Sequence, residues 1–227
     1  MHSPRSQLVF TTVEAAEPPS THVVIPLHGY AGRPSDLLQL AHALGPHAEL
    51  RIPRAPRPAY FGRDTVAHYW YVGERDGTPD PPSFGDCLFQ VEQFVLDVVE
   101  SADKATGAPV IIGVDQGAVL ALATAKVIPD FLGGVVAVAG YLPRIPGIEL
   151  PADDLAQLPI LMINGPGDHP PALVHDSAAC LRADGACLEL HDNIETSRLA
   201  GSELHELVTD WGQRTPTKRR DQAYDQQ

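Results

Sequence analysis

Four short runs constrain this chain most: Val23–Leu27, Val110–Val114, Gly134–Ala139 and Pro159–Ile163 are almost wholly apolar. Runs of that length, bounded by Gly or Pro, read as strands buried on both faces. Leu8–Val13 and Leu188–His191 are weaker strand candidates. Amphipathic stretches separate them. The clearest runs from Phe84 to about Ala105, with Leu88, Val91, Phe94, Val95, Val98 and Val99 on one face and Asp86, Glu92, Asp97 and Glu100 elsewhere. Ser35–Leu44, Gln116–Val127, Pro171–Arg182 and Gly201–Trp211 are further helical patterns. Strand and helix alternate, so the expected class is α/β, a mostly parallel sheet with helices on both faces. In such sheets the functional groups sit on loops at the carboxyl ends of the strands.

The 227 residues suffice for one domain with a full core. We expect a single domain over 1–212 and a polar tail over 213–227, locally basic at Lys218, Arg219 and Arg220. Prolines cluster in Arg51–Pro58 and Pro79–Pro82, which read as stiff, ordered loops. The 44% hydrophobic and 20% charged content is that of a globular rather than a disordered chain. The net charge of −13 argues against nucleic acid and anionic membranes as partners. Three cysteines, Cys87, Cys180 and Cys187, without a CxxC pair, suggest neither a disulfide framework nor a metal site. With no leader pattern and no apolar run of about 18 residues, a cytoplasmic protein is the expectation.

The most informative segment is Val110-Ile-Ile-Gly-Val-Asp-Gln-Gly-Ala118. A buried strand enters a tight turn flanked by Gly113 and Gly117, and a helix leaves it. This is the architecture of a nucleophile elbow, G-x-S-x-G, with Asp115 at the serine position. The Gln116 N–H then lies at a helix N-terminus, aimed where an oxyanion forms. Ile25-Pro-Leu-His-Gly-Tyr-Ala-Gly32 is a second strand end, and Leu161-Met-Ile-Asn-Gly-Pro-Gly-Asp168 a third, closing on an acid.

The segments LHGYAG (27–32), RAPRP (54–58), HYWY (68–71), PPSF (81–84), GVDQGAVLAL (113–122), GVVAVAGYLP (134–143) and NGPGD (164–168) resemble the carboxylesterase/phospholipase family of α/β-hydrolases, which includes the acyl-protein thioesterases. The resemblance implies an α/β-hydrolase fold without a large lid domain, ester or thioester hydrolysis by a Ser–His–Asp triad, and no cofactor. It assigns Tyr30 and Gln116 as the oxyanion donors and Asp168 as the triad acid. Two departures stand out. The serine is Asp115, and the turn that carries the family's histidine reads Leu190-His-Asp-Asn-Ile-Glu-Thr-Ser-Arg-Leu-Ala-Gly201, which places Arg198 at or beside the histidine position.

A serine needs a base, whereas a carboxylate is already ionised at neutral pH. Loss of serine and histidine together is therefore chemically coherent. Haloalkane dehalogenases and epoxide hydrolases use a carboxylate nucleophile on this fold but keep a histidine to cleave the covalent ester. Arginine cannot replace it. A covalent Asp115 ester would need another base such as His169, His68 or Asp168. The residues thus favour Asp115 as a general acid/base, with Asp168 and Arg198 beside it. His28, His68, Trp70, Tyr71, Tyr141 and His169 are the expected pocket, with Tyr69 in the same aromatic run. The expected partner is a small organic molecule (ester, lactone or epoxide-like), with at most a second copy of the chain. Three alternatives remain: a non-hydrolytic isomerase, lyase or cyclase; a catalytically dead ligand-binding pseudo-esterase; and Asp115 as a simple N-cap.

Overall fold

The computed structural model describes residues 6–61, 65–73, 78–102, 106–151, 154–197 and 202–215. In chain order the elements are β1 (Phe10–Val13), β2 (His22–Leu27), α1 (Leu38–His42), β3 (Ala48–Pro53), β4 (Arg57–Phe61), β5 (Thr65–Tyr69), α2 (Pro81–Ser101), β6 (Val110–Val114), α3 (Gln116–Val127), β7 (Gly134–Val138), β8 (Pro159–Asn164), α4 (Pro171–Ala183), β9 (Cys187–Asp192) and α5 (Ser202–Arg214). Seven strands form one sheet in the order β1-β3-β2-β6-β7-β8-β9. Only β1 runs antiparallel, along β3; the pairs from β3–β2 to β8–β9 are parallel. This is the α/β-hydrolase fold, without a large lid.

The four apolar runs form the middle of the sheet, and their residues alternate between two cores. Val23, Ile25, Leu27, Ile111, Val135, Ala137, Ile160 and Met162 pack with residues of α2, α3 and α4. Val24, Val110, Ile112, Val136, Val138, Leu161 and Ile163 pack with Leu40 of α1 and with Leu204, Val208 and Trp211 of α5. Period two places successive side chains on opposite faces. Each fully buried Leu, Ile or Val contributes about 1.5–3 kcal/mol. That is why these runs carry no polar face.

The proline-rich segments differ from the expected loops. Arg51, Ile52 and Pro53 complete β3, and Arg57 and Pro58 begin β4. β4 and β5 form a separate two-stranded antiparallel ribbon. Proline is tolerated at strand ends and in edge ribbons, where its missing N–H interrupts no central ladder. Pro81 and Pro82 occupy the first turn of α2 rather than a loop. That turn needs no intrahelical N–H donor, and proline presets its φ. The Asp80 carboxylate caps it by accepting the Ser83 N–H at 3.0 Å. Helix α2 therefore starts three residues earlier than the pattern suggests. The helix expected over Ser35–Leu44 is a 3₁₀ turn (Pro34–Leu37) followed by α1. Helix α5 continues to Arg214, two residues past the expected domain boundary.

Helix α3 is buried from Gln116 to Lys126. Its one charge, Lys126, is 3% exposed and meets Asp184 at 2.6 Å, which compensates the buried ammonium. Among the described residues, no helix is long and apolar enough to cross a membrane.

Candidate active site

The strand-to-helix turn between β6 and α3 forces Asp115 into a positive-φ conformation, φ 50° and ψ −118°. Such a conformation costs on the order of 1–3 kcal/mol for a residue with a Cβ, so its surroundings must hold it. They do. The Asp115 N–H donates to the Val138 carbonyl at 3.0 Å, and its own carbonyl accepts from the Ala118 and Val119 N–H groups at 2.9 and 3.1 Å. Gly117 lets α3 begin against β2, because a Cβ there would fall on the Leu27 carbonyl. The strained turn lifts the Asp115 side chain off the carboxyl end of the sheet, as a nucleophile elbow does.

The carboxylate does not cap its own helix. Asp115 Oδ2 instead accepts the Tyr30 N–H at 2.8 Å, across from the loop after β2. Gly29 makes room for this approach, since a Cβ there would lie 3.1 Å from Asp115 Cβ. The role expected of Tyr30 is thereby corrected: its N–H holds the acid rather than standing open for an oxyanion. An ionised carboxylate beside a free amide donor takes that donor. Asp115 occupies the N-cap position of α3, but its side chain makes no cap bond there. Gln116 divides its groups. Its buried side chain ties down the aromatic segment, with Oε1 accepting the Trp70 N–H at 2.9 Å and Nε2 donating to the Tyr71 carbonyl at 2.8 Å. Its N–H belongs to the first turn of α3, where no intrahelical acceptor exists.

Asp115 opens into a cleft of ≈ 740 Å³ whose walls include Tyr30, Tyr71, Gln116, Tyr141, Asp168 and His169. Tyr71 and Tyr141 are 5% and 4% exposed and stand together on the cleft wall. Burial above all, then Tyr141 and the charge of Asp115, pushes the Tyr71 phenol well above its usual range. It is a neutral donor at any physiological pH. The His169 ring lies edge-on to Tyr141 at 4.7 Å, and its Nε2–H donates to the Ala139 carbonyl at 3.0 Å.

Asp168 borders the same cleft, but Oδ2 is engaged by the Gly165 N–H at 2.6 Å and the Thr196 hydroxyl at 2.7 Å. These bonds fasten the loop after β8 to the loop after β9. Among the described residues, Asp115 and Asp168 share no partner, and no histidine hydrogen-bonds to Asp115. Arg198 lies outside the described residues.

Three residues expected in the pocket stand elsewhere. His28 is buried under the loop after β2, where Nδ1–H donates to the Gly29 carbonyl at 2.9 Å and Nε2 accepts the Ala55 N–H at 3.1 Å. Burial lowers its pKa, consistent with a neutral ring that braces two loops. Trp70 is fully buried and donates Nε1–H to the His28 carbonyl at 2.7 Å. His68 pairs with Pro58 in the β4–β5 ribbon and bridges to Gly32. Only His68 and Tyr69 lie on β5, where successive side chains take opposite sides, and Trp70 beyond the strand turns into the core. Tyr69 leans on the exposed Tyr30 ring at 5.8 Å.

Sequence reasoning missed a second cleft. It measures ≈ 520 Å³ and lies at the carboxyl ends of β8 and β9, lined among others by Asn164, His175 and Asp192. It shares Gly167, Asp168 and His169 with the Asp115 cleft. The signal available was Asn164, a polar residue closing an apolar strand.

Residues 9–179 match the family model described as Phospholipase/Carboxylesterase. Among solved structures, a carboxylesterase from Mesorhizobium loti superposes with a TM-score of 0.76 at 18% identity, covering 91% of this chain and 95% of that one. A Bacillus cereus carboxylesterase gives 0.74 at 18%, covering 97% and 96%. A phospholipase/carboxylesterase from Dyadobacter fermentans gives 0.68 at 18%, covering 94% and 99%. At that identity the likeness is one of fold. No curated protein matches the chain by sequence.

Proposed function

Because the chain belongs to the phospholipase/carboxylesterase family, we propose that it is an α/β-hydrolase-fold enzyme acting on a small organic substrate, an ester, lactone or epoxide-like molecule, in the Asp115 cleft. Asp115 takes the place of the family's serine and works as a general base, without a covalent step and without a cofactor. One observation carries this reading: the carboxylate stands on the elbow at the cleft with a single backbone donor, and no described histidine bonds to it.

The chemistry follows from that arrangement. A covalent Asp115 ester would need a base to activate the water that cleaves it. His169 directs its Nε2 proton to a backbone carbonyl, and Asp168 is engaged by two donors on one oxygen. Neither hydrogen-bonds to Asp115 among the described residues, although the His169 Nε2–H bond leaves Nδ1 as that ring's acceptor. A carboxylate acting as base needs no relay: it removes a proton from water attacking a carbonyl, or from a carbon acid. The oxygen that gains charge meets the Gln116 N–H at the start of α3 and the hydroxyls of Tyr71 and Tyr141. Hydrolysis by activated water and a non-hydrolytic proton transfer are two outcomes of the same arrangement, set by which proton the substrate presents.

The Tyr30 N–H bond to Asp115 also supports a second reading, a ligand-binding relative without catalysis, because it closes one donor of the usual oxyanion site. That reading predicts ligand binding that survives Asp115→Ala and no turnover. Mass spectrometry of the Asp115 peptide after turnover in ¹⁸O-water separates the two covalency routes. Base catalysis leaves the Asp115 carboxylate unlabelled and without adduct. Heavy oxygen in that carboxylate, or a trapped ester on it, would mean a nucleophile and end the non-covalent reading.

A further inference from the structure

At the second cleft, two acceptor oxygens have no donor among the described residues. Asn164 and Asp192 are the last residues of β8 and β9 and are register partners in that parallel ladder. Register partners project from the same side of the sheet, roughly 5 Å apart. Asn164 is 5% exposed. Asn164 Oδ1 and Asp192 Oδ1 are both buried, and neither has a hydrogen-bond partner among the described residues. Four donors nearby are engaged elsewhere. Ile194 N–H serves the Asn164 backbone carbonyl at 3.2 Å. The Gly165 N–H and the Thr196 hydroxyl serve Asp168. His175 Nε2 pairs with the other Asp192 oxygen at 2.8 Å. Buried polar atoms in folded proteins are rarely left without partners, so two orphaned acceptors closed to solvent beneath residues that line a cleft point to a donor entering from that cleft as the side chains turn toward it.

We propose that this cleft is a recognition site for an N–H-bearing organic cation, a primary ammonium or a guanidinium, held between the Asn164 and Asp192 side chains. The charge of the surroundings fits. Among the described residues the lining contains the carboxylates of Asp168 and Asp192 and no lysine or arginine. The adjoining cleft adds Asp115 and likewise no lysine or arginine. An ammonium spans two acceptors with two of its three donors, and a guanidinium does so with its planar fork. A cavity of ≈ 520 Å³ holds a small head group.

The shared wall at Gly167, Asp168 and His169 has a further consequence for the substrate. A molecule with its cationic group between Asn164 and Asp192 can reach the Asp115 cleft with its reactive end. The substrate class is then an amino- or guanidino-bearing ester or lactone. This extension rests on the reading of Asp115, whereas the cation site itself does not.

Calorimetric titration of the full chain with n-butylammonium and with n-butylguanidinium, each at low ionic strength, reads the site without turnover. n-Butanol is the neutral control, which separates a site that selects charge from one filled by water. We expect one of the two cations to bind at a single site and n-butanol not to bind. Affinity should fall roughly tenfold or more in Asp192→Asn, which is half-exposed and conserves shape, and in Asn164→Leu. It should fall less in Asp115→Asn than in either of these variants, because Asp115 lies in the adjoining cleft and acts only through its charge. The better-bound cation identifies the head group. Failure of both cations to bind, or binding indifferent to Asp192→Asn and Asn164→Leu, overturns the proposal while leaving the role of Asp115 standing. An affinity loss confined to Asp115→Asn also overturns it, because the cation would then sit in the other cleft.

Discussion

At the residue scale, Asp115 owes its place to three backbone hydrogen bonds and its orientation to a fourth, from Tyr30. The elbow was legible in the sequence because only small residues permit that turn, and Gly113 and Gly117 bracket it. The direction of the carboxylate was not, since a rotamer chosen by a donor 85 residues away leaves no local signature. His28 shows the same limit from the other side. Its position beside the active-site loop suggests a functional histidine, yet both ring nitrogens are engaged in bracing that loop. His28→Leu should cost about 1–3 kcal/mol in denaturant titration, because the Ala55 N–H loses its acceptor. Burial lowers the pKa of His28 below the ordinary 6.5. The unfolded chain therefore takes up the proton first, and this part of the stability is complete above pH 6.5 and lost as pH falls below it toward the folded value. His28→Leu should flatten that acid limb of the stability profile, and an unchanged limb would remove His28 as its source.

At the scale of elements, the strands that build the site were the most legible part of the chain. β6 and α3 have the bounds read from the sequence, because a wholly apolar run and an alanine-rich helix meet at glycines. β3 was missed because the charged, partly buried Glu49 and Arg51 interrupt its apolar positions and Pro53 ends it. β4 and β5 were missed because each is short and they pair only with each other. The close contact of α3 with β2 is the most demanding joint of the fold. Gly117→Ala would set a methyl group against the Leu27 backbone carbonyl, which cannot turn aside as a side chain could. It should lower stability by at least about 1–3 kcal/mol. In thermal unfolding that corresponds to roughly 2–4 °C per kcal/mol for a chain of this size. An Ala variant as stable as the parent would show that α3 can shift away from β2.

At the scale of the whole molecule, one mostly parallel sheet brings four loops to its carboxyl edge, after β2, β6, β7 and β8, and sets them around the Asp115 cleft. The order of these loops along the chain could be read beforehand. Which aromatic residues face the cleft and which face the core could not, because that depends on how the β4–β5 ribbon and the segment after it fold over the sheet edge. The fold supplies a carboxylate, two buried phenols and a helix N-terminus around one cavity, with a second cleft opening beside it. The central claim is that the Asp115 carboxylate is the reactive group. Its most direct test is the rate of the wild type against Asp115→Asn on one panel of esters, lactones, epoxides and enolisable ketones, the last read by C–H exchange in heavy water. Asn keeps the acceptor for Tyr30 and tolerates positive φ, so the fold is expected to persist. The account expects the wild type to turn over at least one member and the variant to be slower by about a hundredfold or more. Equal rates on a substrate the wild type turns over would contradict it.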